Sequence, residues 1–203
     1  MKNLKQYGLN TDNKTYIVAE IGINHGGSVD LAKQLIKSAS RAGVDAVKFQ
    51  TYLTEKRAPA GNKIIFDILK ECELNFEAFS QLKEYSRQCG VEFFSTLFDK
   101  ESLDYLESIN CALYKVASFD TVNHKLLAHL AKTAKPVIMS VGMSNLEEIQ
   151  KAYDILHKGI DKVTLLHCVS AYPTKEEDAN LAAIYTLKEK FDCVIGYSDH
   201  TND

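Results

Sequence analysis

The alternation of short apolar runs with amphipathic segments constrains the fold of this chain more than any other feature. The runs are rich in Val, Ile and Phe and are apolar on both faces, as is typical of buried parallel strands. They are Tyr16–Ile21, Val44–Phe49, Val91–Thr96, Ala112–Ala117, Pro136–Val141, Val163–Cys168 and Cys193–Gly196. Between them, apolar residues recur with helical spacing, for example over 31–39, 76–85 and 146–156.

This β-α order predicts a parallel sheet with right-handed crossovers. The two candidate architectures are a doubly wound open sheet and a (β/α)8 TIM barrel. No G-x-G-x-x-G follows the first run, which favours the barrel. A full barrel typically needs about 250 residues, whereas this chain has 203 and stops after the seventh predicted strand. We therefore predict an N-terminal extension over 1–14 and, over 15–203, an incomplete barrel truncated after the seventh strand. The chain would be a fragment, an assembly partner or an unusual open barrel.

Local signals predict several helix ends and one long loop. Asn75 and Asp99 are expected to be N-caps, and Ser144 with Glu147 fits a capping box. The segment Thr51–Glu73 has no clear strand pattern and is expected to be a loop over the barrel mouth.

Composition excludes several classes of function. The chain has 24 Lys and Arg against 27 Asp and Glu, a net charge of −3. It therefore carries no global positive field for nucleic acid or an anionic membrane, and neither is an expected partner. Five cysteines without a C-x-x-C pair indicate reduced thiols. With no signal peptide and no membrane-spanning run evident, a cytoplasmic location is expected.

Polar residues lie near the carboxyl ends of the predicted strands, which in barrel enzymes form the mouth where chemistry takes place. An unpaired Lys or Glu in a buried strand costs several kcal/mol, so partners are expected there. Two lysines with a glutamate and several hydroxyls would make a pocket for an anion. The residues are Glu20, Lys48, Gln50, Thr96, Lys115, Ser118, Asp120, Ser140, His167, Ser170, Ser198 and His200.

Each residue also has a purely structural interpretation. Glu20 and Lys48 could form a structural ion pair, which is nearly as good an explanation for either residue alone. His167 is expected to be a core histidine. Three arginines, Arg41, Arg57 and Arg87, fall in helical or loop segments and are expected to be solvated. The joint pattern, with polar groups at the same end of six strands, favours function.

Seven motifs, in order along the chain, resemble the N-acetylneuraminate (sialic acid) synthase family, with its legionaminate, pseudaminate and spore-coat polysaccharide relatives. The similarity begins near Tyr16 and covers nearly all of the remaining chain. The motifs are AEIGINHGGS (19–28), AVKFQT (46–51), FFSTLFD (93–99), YKVASFD (114–120), PVIMSVGMS (136–144), LLHCVSAYPT (165–174) and IGYSDHT (195–201).

The resemblance implies a (β/α)8-barrel transferase of sialic acid biosynthesis, a branch of carbohydrate biosynthesis. It would condense phosphoenolpyruvate with an N-acylated amino sugar such as N-acetylmannosamine, giving a nine-carbon 2-keto sugar acid and phosphate, with Mn²⁺ or Mg²⁺ as cofactor. By motif match, Glu20 would be the catalytic acid/base and His200 a metal ligand. Gln50, Asp120 and Tyr172 would face the sugar. The phosphoenolpyruvate ligands would be Lys48, Thr96, Lys115, Ser118, Ser140, Ser170 and Ser198.

Two positions depart from the well-known sialate synthases: Ser170 replaces an asparagine, and Asp120 replaces a glutamate. The family's second metal histidine, a further sugar-binding aspartate and its antifreeze-like C-terminal domain are expected beyond residue 203. A homodimer is expected for the full-length form. The alternatives are a catalytically inactive barrel or assembly module, and a synthase acting on another hexose acceptor. A phosphosugar acceptor would need a second basic cluster, and none is clear in the sequence.

Overall fold

The computed structural model describes residues 15–58 and 61–202, so the predicted extension over 1–14 lies outside the described residues. Seven parallel strands belong to one sheet, in which they follow their order along the chain. The strands are β1 Val18–Gly22, β2 Ala46–Thr51, β3 Glu92–Leu97, β4 Tyr114–Val116, β5 Val137–Ser140, β6 Val163–Cys168 and β7 Val194–Ser198. This arrangement confirms the predicted α/β class, a (β/α)8-type fold with seven strands in the described residues.

Helices connect the strands, as the crossovers of a parallel sheet require. They are α1 Val29–Ala42, α2 Thr54–Arg57, α3 Lys63–Cys72, α4 Phe76–Gln88, α5 Lys100–Ser108, α6 His124–Leu130, α7 Leu146–His157 and α8 Ala183–Lys190. Short 3₁₀ helices cover Ser118–Val122, Ala131–Thr133 and Glu176–Asp178. No helix among the described residues is long and apolar enough to cross a membrane.

The chain divides into two compact units within β4, after Tyr114. In the first unit, β2 pairs with β1 and β3, and the Phe49 and Phe93 rings stack at 5.5 Å in its core. Both rings are at most 1% exposed, as are Ile36 of α1 and Leu82 of α4. In the second unit, β6 pairs with β5 and β7.

Three local predictions can be compared with the structure. Asn75 and Asp99 cap α4 and α5 through their side chains, as expected. The capping box of α7 begins one residue later than predicted, because the Asn145 side chain accepts from Glu148 N while the Glu148 carboxylate accepts from Asn145 N. The predicted loop Thr51–Glu73 instead contains two helices.

That loop prediction was wrong because the stabilising contacts of this segment are not local. The Tyr52 hydroxyl donates to Leu69 O at 2.9 Å, and Thr54 N donates to the Glu73 carboxylate at 2.7 Å. These bonds join the two ends of the segment, and no sequence period reports them.

Candidate active site

Three polar side chains meet at the carboxyl ends of β1, β2 and β3 in the first unit. Glu20 and Lys48 are register partners on neighbouring strands, and Lys48 Nζ lies 2.7 Å from Glu20 Oε2. The same ammonium donates to Thr96 Oγ1 at 2.5 Å. The structure therefore brings together three of the predicted site residues.

The environments of the two charged partners differ sharply. The Lys48 side chain is 7% exposed, whereas that of Glu20 is 54% exposed. Burial lowers the pKa of Lys48, the Glu20 carboxylate acts in the opposite direction, and the Arg57 charge adds to the lowering. Because Glu20 lies half in water, it offsets only part of the cost of burying a cation. A ligand with negative charge would offset more of that cost.

Gln50 lies two residues beyond Lys48 on β2 and therefore on the same side of the strand. It is half-buried, and its side-chain Oε1 is a buried acceptor with no hydrogen-bond partner among the described residues. An unsatisfied buried acceptor is costly and uncommon in native proteins. Its position beside Lys48 favours a ligand that donates a hydrogen bond, such as a sugar hydroxyl.

Arg57 corrects the prediction that this side chain is solvated. Its guanidinium lies over two aromatic rings, 4.5 Å from the centroid of Tyr52 and 3.9 Å from that of Phe98. Cation–π contacts of this kind hold a guanidinium in a fixed place. A second cation therefore acts near Lys48. The sequence signal that could have found it is the spacing of Tyr52 and Phe98, one after each of two adjacent strands.

In the second unit, Lys115 of β4 is the buried cation. It is 7% exposed, and its Nζ donates to Ser140 Oγ at 2.6 Å and to Val116 O at 2.7 Å. Ser140 closes β5, so two predicted site residues on neighbouring segments are in contact. The pattern repeats that of Lys48 and Thr96: a buried ammonium bonded to a hydroxyl near the carboxyl end of another strand.

The hydroxyls of Ser118 and Ser170 lie beside a cysteine that sequence reasoning did not select. Ser118 Oγ is 3.0 Å from Cys168 Sγ. A Cβ on Gly142 would lie 2.7 Å from Cys168 Sγ and 3.1 Å from Ser170 Oγ, so the loop after β5 packs closely against both. Cys168 is also the register partner of Ser198 on β7. Three predicted positions of this unit therefore lie close to one buried cysteine.

The two sugar-facing candidates of this unit have opposite exposure. Asp120 is 5% exposed, and its Oδ1 accepts a hydrogen bond from Asn123 Nδ2 at 3.0 Å. Tyr172 is 77% exposed, and its ring lies 4.2 Å from that of His200. Asp120 is therefore held in place by the protein, whereas Tyr172 is mostly exposed to solvent.

His200 follows β7, and its contacts define its tautomer. Nδ1 lies 2.6 Å from Val169 O, and only an N–H can bond a carbonyl, so Nδ1 carries the proton. Nε2 lies 3.3 Å from the Tyr172 hydroxyl and 3.4 Å from Ser198 Oγ. A histidine whose other nitrogen donates to a carbonyl is the usual arrangement for a metal ligand.

The donor set for a metal ion is incomplete in this part of the protein. Residues 15–58 and 61–202 contain no group of three or more His, Cys, Asp or Glu side chains placed to hold a metal ion. His200 therefore fits one ligand position, and a divalent ion needs further ligands.

His167 behaves as the core residue that the sequence analysis expected. It is 9% exposed, its Nε2 lies 2.8 Å from Ala179 O, and its ring stacks on Tyr197 at 5.8 Å.

Each unit thus offers a buried lysine with hydroxyl partners at the carboxyl ends of its strands. The chemistry available is anion binding beside a carboxylate in the first unit and beside the Ser140 hydroxyl in the second.

Comparison with known proteins identifies the family of the chain. A solved sialic acid synthetase from Leptospira borgpetersenii, in complex with citrate, superposes with a TM-score of 0.91 and 42% identity over 94% of this chain and 66% of that one. The N,N'-diacetyllegionaminic acid synthase of Campylobacter jejuni is 38% identical over 93% of this chain and 61% of its own length. A pseudaminic acid synthase of the same species is 36% identical over 95% and 60%.

The chain thus spans about three fifths of the length of the two curated relatives. The model of the NeuB family matches residues 35–203. Because this match covers most of the chain, and relatives above 30% identity align over nearly all of it, the chain belongs to the NeuB family.

Proposed function

We propose that this chain is the catalytic barrel of an enzyme that condenses phosphoenolpyruvate with the open-chain aldehyde of an N-acylated amino sugar. The products would be a nine-carbon 2-keto sugar acid and inorganic phosphate. The observation that carries the proposal is the pair of buried lysines, Lys48 and Lys115, each bonded to a hydroxyl at the carboxyl end of a strand. Membership of a family of sugar-acid synthases supports it.

Phosphoenolpyruvate carries a phosphate and a carboxylate, and its recognition needs cations and hydrogen-bond donors in a partly desolvated place. We assign this role to Lys48 and Lys115. Their burial supports the assignment, since an ammonium held out of water interacts more strongly with an anion than an exposed one does. The accompanying hydroxyls are those of Thr96, Ser118, Ser140, Ser170 and Ser198.

The reaction we assign proceeds by carbon–carbon bond formation followed by water addition. C3 of phosphoenolpyruvate attacks the aldehyde carbon, and the aldehyde oxygen takes a proton. Water adds to the resulting cationic C2 and loses a proton, giving a tetrahedral intermediate. The bond between C2 and the phosphate oxygen then breaks while the C2 hydroxyl gives its proton to the departing phosphate, which releases inorganic phosphate and forms the ketone. No oxidation or reduction occurs.

Glu20 is our candidate for the group that moves the proton of the attacking water. A general base must be able to reach the attacking water, and the Glu20 carboxylate is half-exposed beside the Lys48 ammonium that is assigned to phosphoenolpyruvate. Oε2 is engaged with Lys48, so Oε1 is the oxygen available for proton transfer. The structural alternative, an ion pair without catalytic duty, predicts no loss of turnover when Glu20 is changed to Gln.

The acceptor sugar is assigned to Gln50, Asp120 and Tyr172. The buried Oε1 of Gln50 can accept a hydrogen bond from a sugar hydroxyl. The exposed Tyr172 ring can pack against the acetamido group or the carbon chain of the sugar. Relatives named for legionaminic and pseudaminic acids support an amino sugar as the class of acceptor. N-acetylmannosamine is the simplest member to test.

A divalent cation, Mn²⁺ or Mg²⁺, is part of the proposal, with His200 as one ligand. When bound, it would supply a Lewis acid for the aldehyde oxygen. The described residues supply only this one position for it, and the proton and anion chemistry above is assigned to side chains of the chain itself.

The test measures phosphoenolpyruvate binding by calorimetry and phosphate release with phosphoenolpyruvate, Mn²⁺ and N-acetylmannosamine. We expect Lys48→Ala and Lys115→Ala each to weaken binding by about 10-fold or more, the loss of one charge-assisted contact. Lys83→Ala is the control, because Lys83 donates to the carbonyls of Ile109 and Asn110 and takes no part in the proposed site.

Three outcomes separate the alternatives. Binding with phosphate release supports the synthase, and Glu20→Gln should then lower kcat with little change in binding. Binding without release, for every N-acylated hexosamine tried, favours an inactive module or another acceptor. A chain that binds no phosphoenolpyruvate overturns the proposal.

A further inference from the structure

The end of β1 is irregular at the point where Glu20 lies. Glu20 pairs with Lys48 in the β1–β2 register, but Gly22 pairs with Phe49, so two residues of β1 advance against one of β2. This is a β-bulge, a feature that re-aims side chains next to functional sites. Gly22 has a left-handed φ of +55°, which favours glycine over any other residue.

The space above Gly22 is occupied by the Glu20 carboxylate. A Cβ at position 22 would lie 2.9 Å from Glu20 Oε1, 3.7 Å from Glu20 Cδ and 3.5 Å from Gln50 Nε2. The carboxylate therefore rests over the glycine backbone while its other oxygen pairs with Lys48 at 2.7 Å. One carboxylate oxygen, Oε2, pairs with the ammonium, and the other, Oε1, occupies space that a side chain at position 22 would fill.

This confinement matters because the Glu20 side chain is 54% exposed. A half-exposed glutamate ordinarily samples several rotamers, and holding one of them costs conformational entropy. Lys48 can act as a fixed anchor, since it is buried and also bonded to Thr96. At the bulge, the Glu20 side chain passes over Gly22 to reach Lys48. Its carboxylate occupies space that is open because glycine has no side chain.

We propose that Gly22 is a positioning residue that holds the Glu20 carboxylate against Lys48 and aims Oε1 for proton transfer. The proposal rests on the catalytic role assigned to Glu20 in the proposed function. A side chain at position 22 would overlap Oε1 and displace the carboxylate from the position in which it pairs with Lys48.

The test compares Gly22→Ala with Gly26→Ala in the 203-residue chain. Both glycines have a left-handed φ, +55° and +51°, so both alanines meet the same backbone strain. A Cβ at Gly26 has nothing within 4 Å, whereas one at Gly22 meets the carboxylate. We expect kcat for phosphate release to fall about 10- to 100-fold in Gly22→Ala. The KM for phosphoenolpyruvate should change little, and Gly26→Ala should resemble the parent.

A second variant tests for relief of the overlap. Glu20→Asp shortens the side chain by one methylene and draws the carboxylate back from position 22. Combined with Gly22→Ala, it should recover part of the lost kcat, so that the double variant exceeds the Gly22→Ala variant. Two independent structural defects would instead add, and a double variant no better than Gly22→Ala alone counts against the proposal.

A measurement without turnover separates this inference from the proposed function. The charged groups that act on the Lys48 ammonium are Glu20, which raises its pKa, and Arg57, which lowers it. Displacing the carboxylate should lower the Lys48 pKa in Gly22→Ala but not in Gly26→Ala. The pKa is measured by NMR titration of the chain with isotopically labelled lysine.

The possible results each decide a claim. A parent chain that turns over no phosphoenolpyruvate overturns the proposed function, and the lysine titration then decides whether Gly22 places the carboxylate. An unchanged Lys48 pKa in Gly22→Ala overturns the inference. So does an equal loss of kcat in the Gly22 and Gly26 variants, because backbone strain would then explain both.

Discussion

Replacing Lys48 with methionine should make the chain more stable and a poorer ligand binder. Methionine fills nearly the same volume without a charge. Replacing a buried ion pair by apolar side chains is commonly neutral or stabilising, by about 1–4 kcal/mol, whereas removing one partner is destabilising when the other charge stays buried. The remaining partners tolerate the change, because Glu20 is half in water and the Thr96 hydroxyl is a neutral group.

The magnitude follows from the environment of the ammonium. Burial lowers the Lys48 pKa, so the protonated form opposes folding at every pH below that lowered value. The penalty fades as the pH rises towards the ordinary value of 10.5. At neutral pH the variant should therefore gain about 1–4 kcal/mol in free energy of unfolding. At about 3 °C per kcal/mol for a chain of this size, Tm should rise by about 3–12 °C.

The assay pairs thermal unfolding, followed by circular dichroism at pH 7 and pH 10, with calorimetric titration of phosphoenolpyruvate. Affinity should fall about 10- to 150-fold as one charge-assisted contact is lost. Lys83→Met is the control: its ammonium bonds the carbonyls at the end of α5, so the variant should lose stability and keep its affinity. A Lys48→Met chain that is less stable and binds as well as the parent would show that Lys48 is a structural bridge.

Three further predictions follow from close contacts and burial. Gly142→Ala should raise the KM for phosphoenolpyruvate with a smaller effect on kcat, because the new Cβ would lie 3.1 Å from Ser170 Oγ. Gly159→Ala should lower the free energy of unfolding by about 1–3 kcal/mol, measured by urea titration, since its Cβ would lie 2.2 Å from Ala131 O. Burial lowers the pKa of His25, so the parent should lose stability as pH falls below 6.5, by at most about 1.4 kcal/mol per pH unit, and His25→Gln should lose less.

Controls are available for these variants. Gly61→Ala serves both glycine substitutions, because a Cβ there meets nothing within 4 Å and the backbone is not left-handed. Urea curves of Gly61→Ala and Gly159→Ala that coincide would contradict the packing argument. For His25, whose Nδ1 accepts from Gly27 N, identical acid limbs in parent and variant would show that the ring does not stay neutral in the fold.

The strand-end lysines could be predicted from the sequence, whereas their surroundings could not. Lys48 and Lys115 interrupt apolar runs, and strand periodicity alone places them near the carboxyl ends of their strands. The placement of Arg57 over the Tyr52 and Phe98 rings depends on how the segment after β2 folds back, which its residues do not encode locally. Cys168 was passed over as an apolar strand residue, although it touches Ser118 in space across fifty positions of sequence.

The β1 bulge was missed for a related reason. The motif AEIG reads as a strand followed by a turn, and the two-against-one register appears only when β1 lies against β2. The helices of segment 51–73 were missed for the same reason, because they depend on hydrogen bonds between the two ends of the segment. The hydrophobic periodicity of the sequence predicts which helices and strands form, but the geometry at their ends depends on contacts between residues far apart in the sequence.

The contacts of the two buried lysines also fix the direction of hydrogen bonding around them. An ammonium can only donate, so Thr96 Oγ1 and Ser140 Oγ must use lone pairs to meet it. Their own hydrogens are then turned elsewhere as donors. Each lysine is thus paired with a hydroxyl that can also act as a donor. A small oxyanion bound there could accept hydrogen bonds from both the ammonium and the hydroxyl. The same donor hydrogens would repel a cation. The hydrogen-bond directions around each lysine therefore favour an anionic ligand over a cationic one before any ligand binds.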